Sequence, residues 1–433
     1  MSLYSQLTPK PRRTVRNTID LVCSVKGIIV PQTIQELKKI GVFSPCLKFQ
    51  DRQIFLSSDA TMAVRRITNF IHDSKRFSDL VDYNDIFRSI LEISEHWLAN
   101  NLKPDEQEFL DSLDEHLVEK ITTSYYFNRI EGLELTDIDK VQIGTKTVRV
   151  YSSEVLAGVD FDSDLKDIID KEYSGKLIIL GEEHGSSTIS ESRFYYHSTI
   201  CLSLLSLYSC AIYKSAIRRI KLRLIGNSAL VFGVASTVSW SKKNKEGTFA
   251  RHFGAHQDFE LNAELLKYLY ESCYFTEMSN LLEKPGRSDL EESVVKAIYW
   301  FGAAQNEHFH AATWIKLWTC LECFFTLDRV DITETNARGI ASLLLFGDYN
   351  IDDYGDYSSL KAKIKSFYDA RSKILHNADY TDIDPSDLDE LANMVAWVII
   401  TIVSLLPRGY TTRKQLQEEV RRLDNIQQFS RSD

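Results

Sequence analysis

No run of apolar residues in this chain reaches the roughly 20 that a membrane-spanning helix needs. The two most apolar stretches, "STICLSLLSLYSCAIY" (198–213) and "MVAWVIITIVSLL" (394–406), stop short of it and predict elements buried inside a folded protein. The basic residues near the first methionine are followed by no apolar core of the kind a secretory leader carries, so a cytoplasmic protein with no membrane partner is expected. Excess positive charge is missing too. A net charge of −10 excludes coating nucleic acid by bulk attraction, because gripping phosphates requires concentrated Lys and Arg; a nucleic-acid site must be local. Cysteines are few, and only Cys320 and Cys323 stand close together. Both fall in an apolar helical pattern, where packing rather than zinc accounts for them. An odd count of seven without a framework of spacings suits a reducing compartment. Internal repeats and low-complexity tracts are absent.

What is present is a globular composition, 44% hydrophobic and 11% aromatic, in 433 residues, which suggests two or three domains. The expected class is α+β. Residues 1–128 read as mainly helical; "IFRSILEISEHWLANNL" (86–102) puts Ile86, Ile90, Ile93 and Trp97 on one stripe. Residues 129–285 read as a mixed α/β region that would sense a trigger, regulate or recruit a partner. Its strand candidates are "TKTVRVY" (145–151), "SALVFGVASTVSW" (228–240) and the partly alternating "IRRIKLRLI" (217–225). "EKPGRSD" (283–289) marks a boundary, with Ser288 or Asp289 able to cap a new helix. Residues 286–433 read as an all-α bundle of four long helices. One carries Trp314, Leu317, Trp318, Leu321 and Phe325 on one face; the next spans "YSSLKAKIKSFYDARSKILHN" (357–377). The last opens at the capping Asp384-Pro385 pair and is apolar all round from Met394.

The end of the 357–377 helix holds the chemistry. Residues five apart on a helix point about 140° away from each other, so Arg371 and His376 do not share a face by helical geometry. Asn377 tolerates a left-handed C-terminus, which would leave His376 in a frayed last turn while Arg371 stays in regular structure. Such a pair suits RNA cleavage without metal. Histidine moves a proton near neutrality, and arginine grips phosphate oxygens in a bidentate fork as charge builds. Lys361, Lys363, Lys365 and Lys373 make the helix basic, and Lys365 and Lys373 are candidate RNA contacts.

"YDARSKILHN" (368–377) resembles the Arg-x4–6-His signature of the HEPN superfamily, especially its Apea-like branch. The likeness covers approximately residues 288–406. It includes "WTCLECFF" (318–325), similar to the family's aromatic second long helix with an embedded glutamate. The resemblance implies that Arg371 and His376 are the catalytic pair, with Glu322 the supporting acid and Ser372 and Asn377 flanking them. It implies a metal-independent endoribonuclease with no cofactor, serving antiviral defence or toxin-type growth arrest. Two departures stand out. Ser372 occupies a position where the family usually has Asn, Asp or His, and Ala378 stands where some toxins carry a modifiable tyrosine. HEPN domains typically act as dimers whose Arg–His pairs meet in one cleft. This chain has no second such stretch in a comparable bundle, so a homodimer or higher oligomer is implied.

Two other readings remain open. A non-catalytic HEPN module would dimerise or bind a nucleotide or partner, and Ser372 keeps that reading alive. A metal-dependent hydrolase would use His252 and His256, spaced four apart as on zinc helices. Gly254 weakens such a helix, and Phe253 stands where the catalytic glutamate is expected. His308 and His310 sit at a helix start, where capping and surface roles are common. "LIILGEEHGSS" (177–187) lacks the phosphate-loop pattern, and "DFDSDLKDIIDK" (160–171) lacks the glycine and final glutamate of a calcium loop.

Overall fold

The computed structural model describes residues 3–22, 28–30, 45–49, 52–100, 102, 105–157, 163–225, 235–240, 247–252, 257–326, 331–351, 354–377 and 383–430. The fold is α+β. All described strands lie before Ala263, and helices and their connections make up the described residues after it. Contacts divide the chain into two compact units, one of residues 1–126 with 182–195 and the other of residues 127–181 with 196–433. Residues 127–181, 196–285 and the C-terminal helices thus share one unit, whereas the sequence partition separates them at 285.

The first unit opens with α1 (Leu3–Gln6) and α2 (Pro9–Val22), followed by an antiparallel sheet of order β1-β3-β2 made from β1 (Ile28–Ile29), β2 (Cys46–Phe49) and β3 (Arg52–Leu56). Three helices follow: α3 (Ser58–His72), α4 (Tyr83–Ala99) and α5 (Glu106–Glu119). Each starts on an acceptor side chain, from Ser57, Asp82 and Asp105, that takes up backbone N–H groups left open in the first turn. On α4 the expected stripe is buried: Ile86, Ile90 and Ile93 pack with Val64, Ile67 and Leu113, and Trp97 covers their edge. The helical region ends earlier than expected, because β4 begins at Thr122.

Next along the chain, β4 (Thr122–Glu131), β5 (Leu133–Thr136), β6 (Lys140–Ile143), β7 (Lys146–Val150) and, after α6 (Ser163–Tyr173), β8 (Leu177–Gly185) precede one long helix, α7 (Ser187–Ile212). β4, β6, β7 and β8 form with β9 (Arg223–Leu224) a five-stranded sheet of order β6-β7-β8-β4-β9. Residues 163–171 of the rejected calcium-loop stretch lie in helix α6, and residues 160–162 lie outside the described residues. "IRRIKLRLI" departs from expectation: it folds as α8 (Ala216–Arg219) and the two-residue β9. Side-chain anchoring overrides its alternation. Arg218 forms a two-pronged pair with Asp389, with Nε donating to Oδ1 at 2.8 Å, and the Lys221 ammonium donates to the carbonyls of Ile217, Gln305 and Glu307. The described strand of "SALVFGVASTVSW" is β10 (Ala235–Trp240), paired antiparallel with β11 (Gly247–His252); residues 228–234 lie outside the described residues. β12 (Phe259–Asn262) pairs in parallel with β5.

The helical part comprises α9 (Ala263–Ser272), α10 (Phe275–Leu281), α11 (Asp289–Gln305), α12 (His310–Phe325), α13 (Ile332–Phe346), α14 (Tyr357–Asn377), α15 (Pro385–Val403) and α16 (Arg413–Ser430). Ser288 and Glu291 form a capping box at the predicted boundary. The expected four long helices are joined by α13, so the Arg–His stretch lies on the fourth long helix after the boundary rather than the third. α15 is buried almost all round, and α7 accounts for part of that cover. Asn393 Nδ2 donates to Cys210 O (2.7 Å) and Ala211 O (3.1 Å), and Trp397 Nε1 donates to Ala211 O (3.0 Å). These bonds satisfy carbonyls that the end of α7 leaves open. Taken with the turn after it, residues Pro385–Arg408 are long and apolar enough to cross a membrane; 78% of their most apolar window is buried in the protein. Burial of the Met394–Leu406 run, as expected, therefore explains its composition.

Candidate active site

The aromatic helix and the Arg–His helix lie side by side in the same direction. Trp314 Nε1 donates to Phe367 O (3.2 Å), and the two rings meet edge to face at 5.1 Å. One turn on, Trp318 meets Tyr368 edge to face at 5.5 Å. Another turn on, Arg371 Nη2 donates to Glu322 Oε1 at 2.7 Å. Positions 314, 318 and 322 are single-turn steps on α12, so one helical face carries two aromatic contacts and then the acid. The Arg371 guanidinium also lies 5.7 Å from the centroid of the Tyr368 ring. The Arg371 and Glu322 side chains are 20% and 24% exposed, so the pair sits at a rim that solvent reaches.

His376 is in the last turn of α14, exposed, and takes no hydrogen bond or ion pair among the described residues. The helix continues through Asn377, which is helical and not among the residues with positive φ. The expected left-handed end at Asn377 is therefore replaced by regular helix. The angle of about 140° between Arg371 and His376 persists to the end of the helix. Ser372 is half-buried between Arg371 and the exposed Lys373. Ala378 lies outside the described residues.

The lysines of α14 differ in their partners. Lys361 and Lys365 both hold Glu334 of α13, Lys365 at 2.7 Å, and Lys363 holds Glu390 of α15. Burial pushes the Glu334 carboxyl upward, but the two ammonium groups outweigh it and leave the acid below its ordinary range. Of the two candidate RNA contacts, Lys365 is thus engaged, whereas Lys373 makes no ion pair among the described residues. Arg371 and Lys373 carry the positive charge near the end of α14, and two positions apart on a regular helix they point about 160° away from each other.

Other candidates fall elsewhere. Burial pushes the Cys320 thiol well above its ordinary value and raises Cys323 to about 11, consistent with packing. His252 ends strand β11 opposite Ala235, so it does not occupy the helix that a four-residue zinc spacing requires; His256 lies outside the described residues. Groups of three or more His, Cys, Asp or Glu able to hold a metal are absent among the described residues. His308 and His310 flank the exposed Phe309 at the start of α12. Sequence reading missed Trp318 and Tyr368 as supports of the Arg371–Glu322 pair. Their spacing, four before Glu322 and three before Arg371, was the available signal. Comparison with protein-family models, with curated proteins and with solved structures gives no match to this chain.

Proposed function

We infer that the C-terminal helices form a HEPN-like bundle that cleaves RNA without metal, as a cytoplasmic effector of antiviral defence or growth arrest. The observation that carries this reading is the Arg371–Glu322 pair, held by aromatic contacts at a solvent-reachable rim on the helix that ends in an exposed His376. Glu322 fixes the guanidinium from one side. The fork's other donors are then available to phosphate oxygens as charge builds on the scissile group. His376 moves the proton of the ribose 2′-hydroxyl or of the leaving 5′-oxygen, giving 2′,3′-cyclic phosphate and 5′-hydroxyl ends. Since Arg371 and His376 point apart on one helix, a second copy of the chain supplies the complement, and the working species is a homodimer. Lys373 adds charge for the RNA backbone.

The 2.7 Å pair also favours a second reading, in which Arg371 is a structural counter-ion in a non-catalytic module that dimerises or binds a partner. One experiment separates the two. Purified protein is incubated with total RNA in EDTA beside Arg371→Ala and His376→Ala, and toxicity on expression is scored in parallel. EDTA-resistant cleavage lost in both variants supports the nuclease. Cleavage abolished by EDTA points to a metal-dependent hydrolase instead. Absence of both cleavage and toxicity supports the non-catalytic module.

A further inference from the structure

A second candidate site lies in the same unit, built by a kink in the sheet. β4 pairs antiparallel with β9 up to Glu131↔Arg223, and the chain then turns at Gly132, whose φ is +84°. A Cβ there would lie 2.2 Å from Lys221 O, so only glycine permits this approach. Beyond the kink, β5 leaves β9 and pairs in parallel with β12. Its register, Phe259↔Leu133 through Asn262↔Thr136, with Phe259 N donating to Gly132 O at 2.8 Å, fixes which groups that partner uses. In a parallel ladder, alternate residues turn both N–H and C=O to the same side. Gly132 O, the amide groups of Glu134 and Thr136 N therefore face β12. The N–H and C=O of Leu133 and Leu135 face the opposite edge, where β5 has no strand partner among the described residues.

Among the described residues, the neighbouring strand leaves that edge unpaired. β8 flanks β4 in the sheet but begins only at Leu177, after the turn at Gly175 and Lys176. Gly175, Lys176 and Leu177 form the opposite wall of a cavity of about 610 Å³ that β5 lines. The charges around it carry both signs: Arg129, Lys176, Lys221 and Arg223 against Glu131, Glu134 and Asp258, with Arg129 and Arg223 already paired to Glu131 and Lys221 to backbone carbonyls. A purely anionic ligand would face those carboxylates, and it offers no ladder to match two outward amide units one pleat apart.

We propose that the Leu133–Leu135 edge of β5 binds an extended peptide of a partner protein, added as a strand and carrying both an acidic and a basic side chain. The peptide's alternate residues exchange hydrogen bonds with Leu133 and Leu135. Lys176 and Glu134 read its charges, which sets sequence preference apart from the backbone ladder. This inference does not rest on the ribonuclease reading.

The probe is an eight-residue peptide selected from a random displayed library against the full chain, labelled with fluorescein and followed by anisotropy. Three results are expected. N-methylation at alternate peptide positions weakens binding at least tenfold, while methylation at the positions between leaves it intact. Lys176→Glu with Glu134→Lys also lowers affinity at least tenfold, with an unchanged melting temperature. In hydrogen exchange, the amides of Leu133 and Leu135 slow on binding. Recovery of no binding peptide overturns the proposal, as does a peptide insensitive to N-methylation or unaffected by the charge swap. Protection of the same amides by a nucleoside triphosphate, with the peptide displaced, overturns it in favour of an anion site.

Discussion

Glu322→Gln tests whether Arg371 is positioned for chemistry or merely neutralised. Glutamine keeps the shape and one acceptor on α12 but removes the charge that meets Arg371 Nη2 at 2.7 Å. The pair is neither fully exposed, where such contacts contribute about 0.2–1 kcal/mol, nor fully buried, where breaking one costs about 3–5 kcal/mol. With side chains 20% and 24% exposed, a stability loss of about 1 kcal/mol is expected, near the exposed end of that range. In a unit of this size that lowers the melting temperature by roughly 2–4 °C. The effect on RNA cleavage should be larger. A guanidinium no longer held from behind explores more rotamers, and a misplacement of about 1 Å costs up to roughly 100-fold in rate. Arg371→Lys keeps the charge but loses the fork, and Arg371→Ala removes both, for a loss of about 100- to 1000-fold. The expected order of initial rates in EDTA is wild type, Glu322→Gln, Arg371→Lys, Arg371→Ala. Rates are read beside melting curves, so that loss of fold is separated from loss of chemistry. Glu322→Gln and Arg371→Ala that melt lower but cleave at the wild-type rate would refute the positioning argument.

Lys373→Ala should weaken RNA binding several-fold and lower the salt dependence by about one phosphate contact, while Lys365→Ala, whose ammonium already holds Glu334, should do less; titration at several salt concentrations decides. Gly302→Ala should destabilise the second unit by about 3 kcal/mol or more, because the new Cβ would lie 1.8 Å from Ser203 Oγ and 2.8 Å from Ser203 Cα on α7; Ser203→Gly should recover part of the loss in denaturant unfolding. The Lys221 ammonium, pulled down to about 8 by burial, gives a pH signature. Between about 8 and its unfolded value of 10.5 the unfolded chain binds more protons than the folded one, so this group's contribution to stability rises with pH across that window and is lost as pH falls through 8. The stability difference between wild type and Lys221→Met should therefore grow by up to roughly 2–3 kcal/mol from pH 8 to pH 10.5, and a flat difference would contradict it.

Much of the helical architecture was legible because helix ends are local events. The 357–377 stretch folds as one helix, Ser288 and Glu291 close a capping box, and Asp384 caps a helix with Pro385 in its first turn. Each of those signals acts within four residues. The 217–225 stretch was misread for the converse reason. Its alternation suggests a strand, but Arg218 answers to Asp389, far along the chain, and Lys221 to carbonyls at the end of α11. The 198–213 stretch, most of which lies in α7, was read correctly as buried, but its neighbours could not be read: Gly302 admits Ser203, and Asn393 and Trp397 meet the last turn of α7.

The chain's own residues determined that a guanidinium, an imidazole and a set of ammonium groups would share one helix, since helix periodicity is written every three to four positions. Which of them are already occupied was decided only in three dimensions. Glu322 meets Arg371 from 49 residues away and Glu334 takes Lys361 and Lys365, because packed helix faces, rather than sequence spacing, choose partners across such separations.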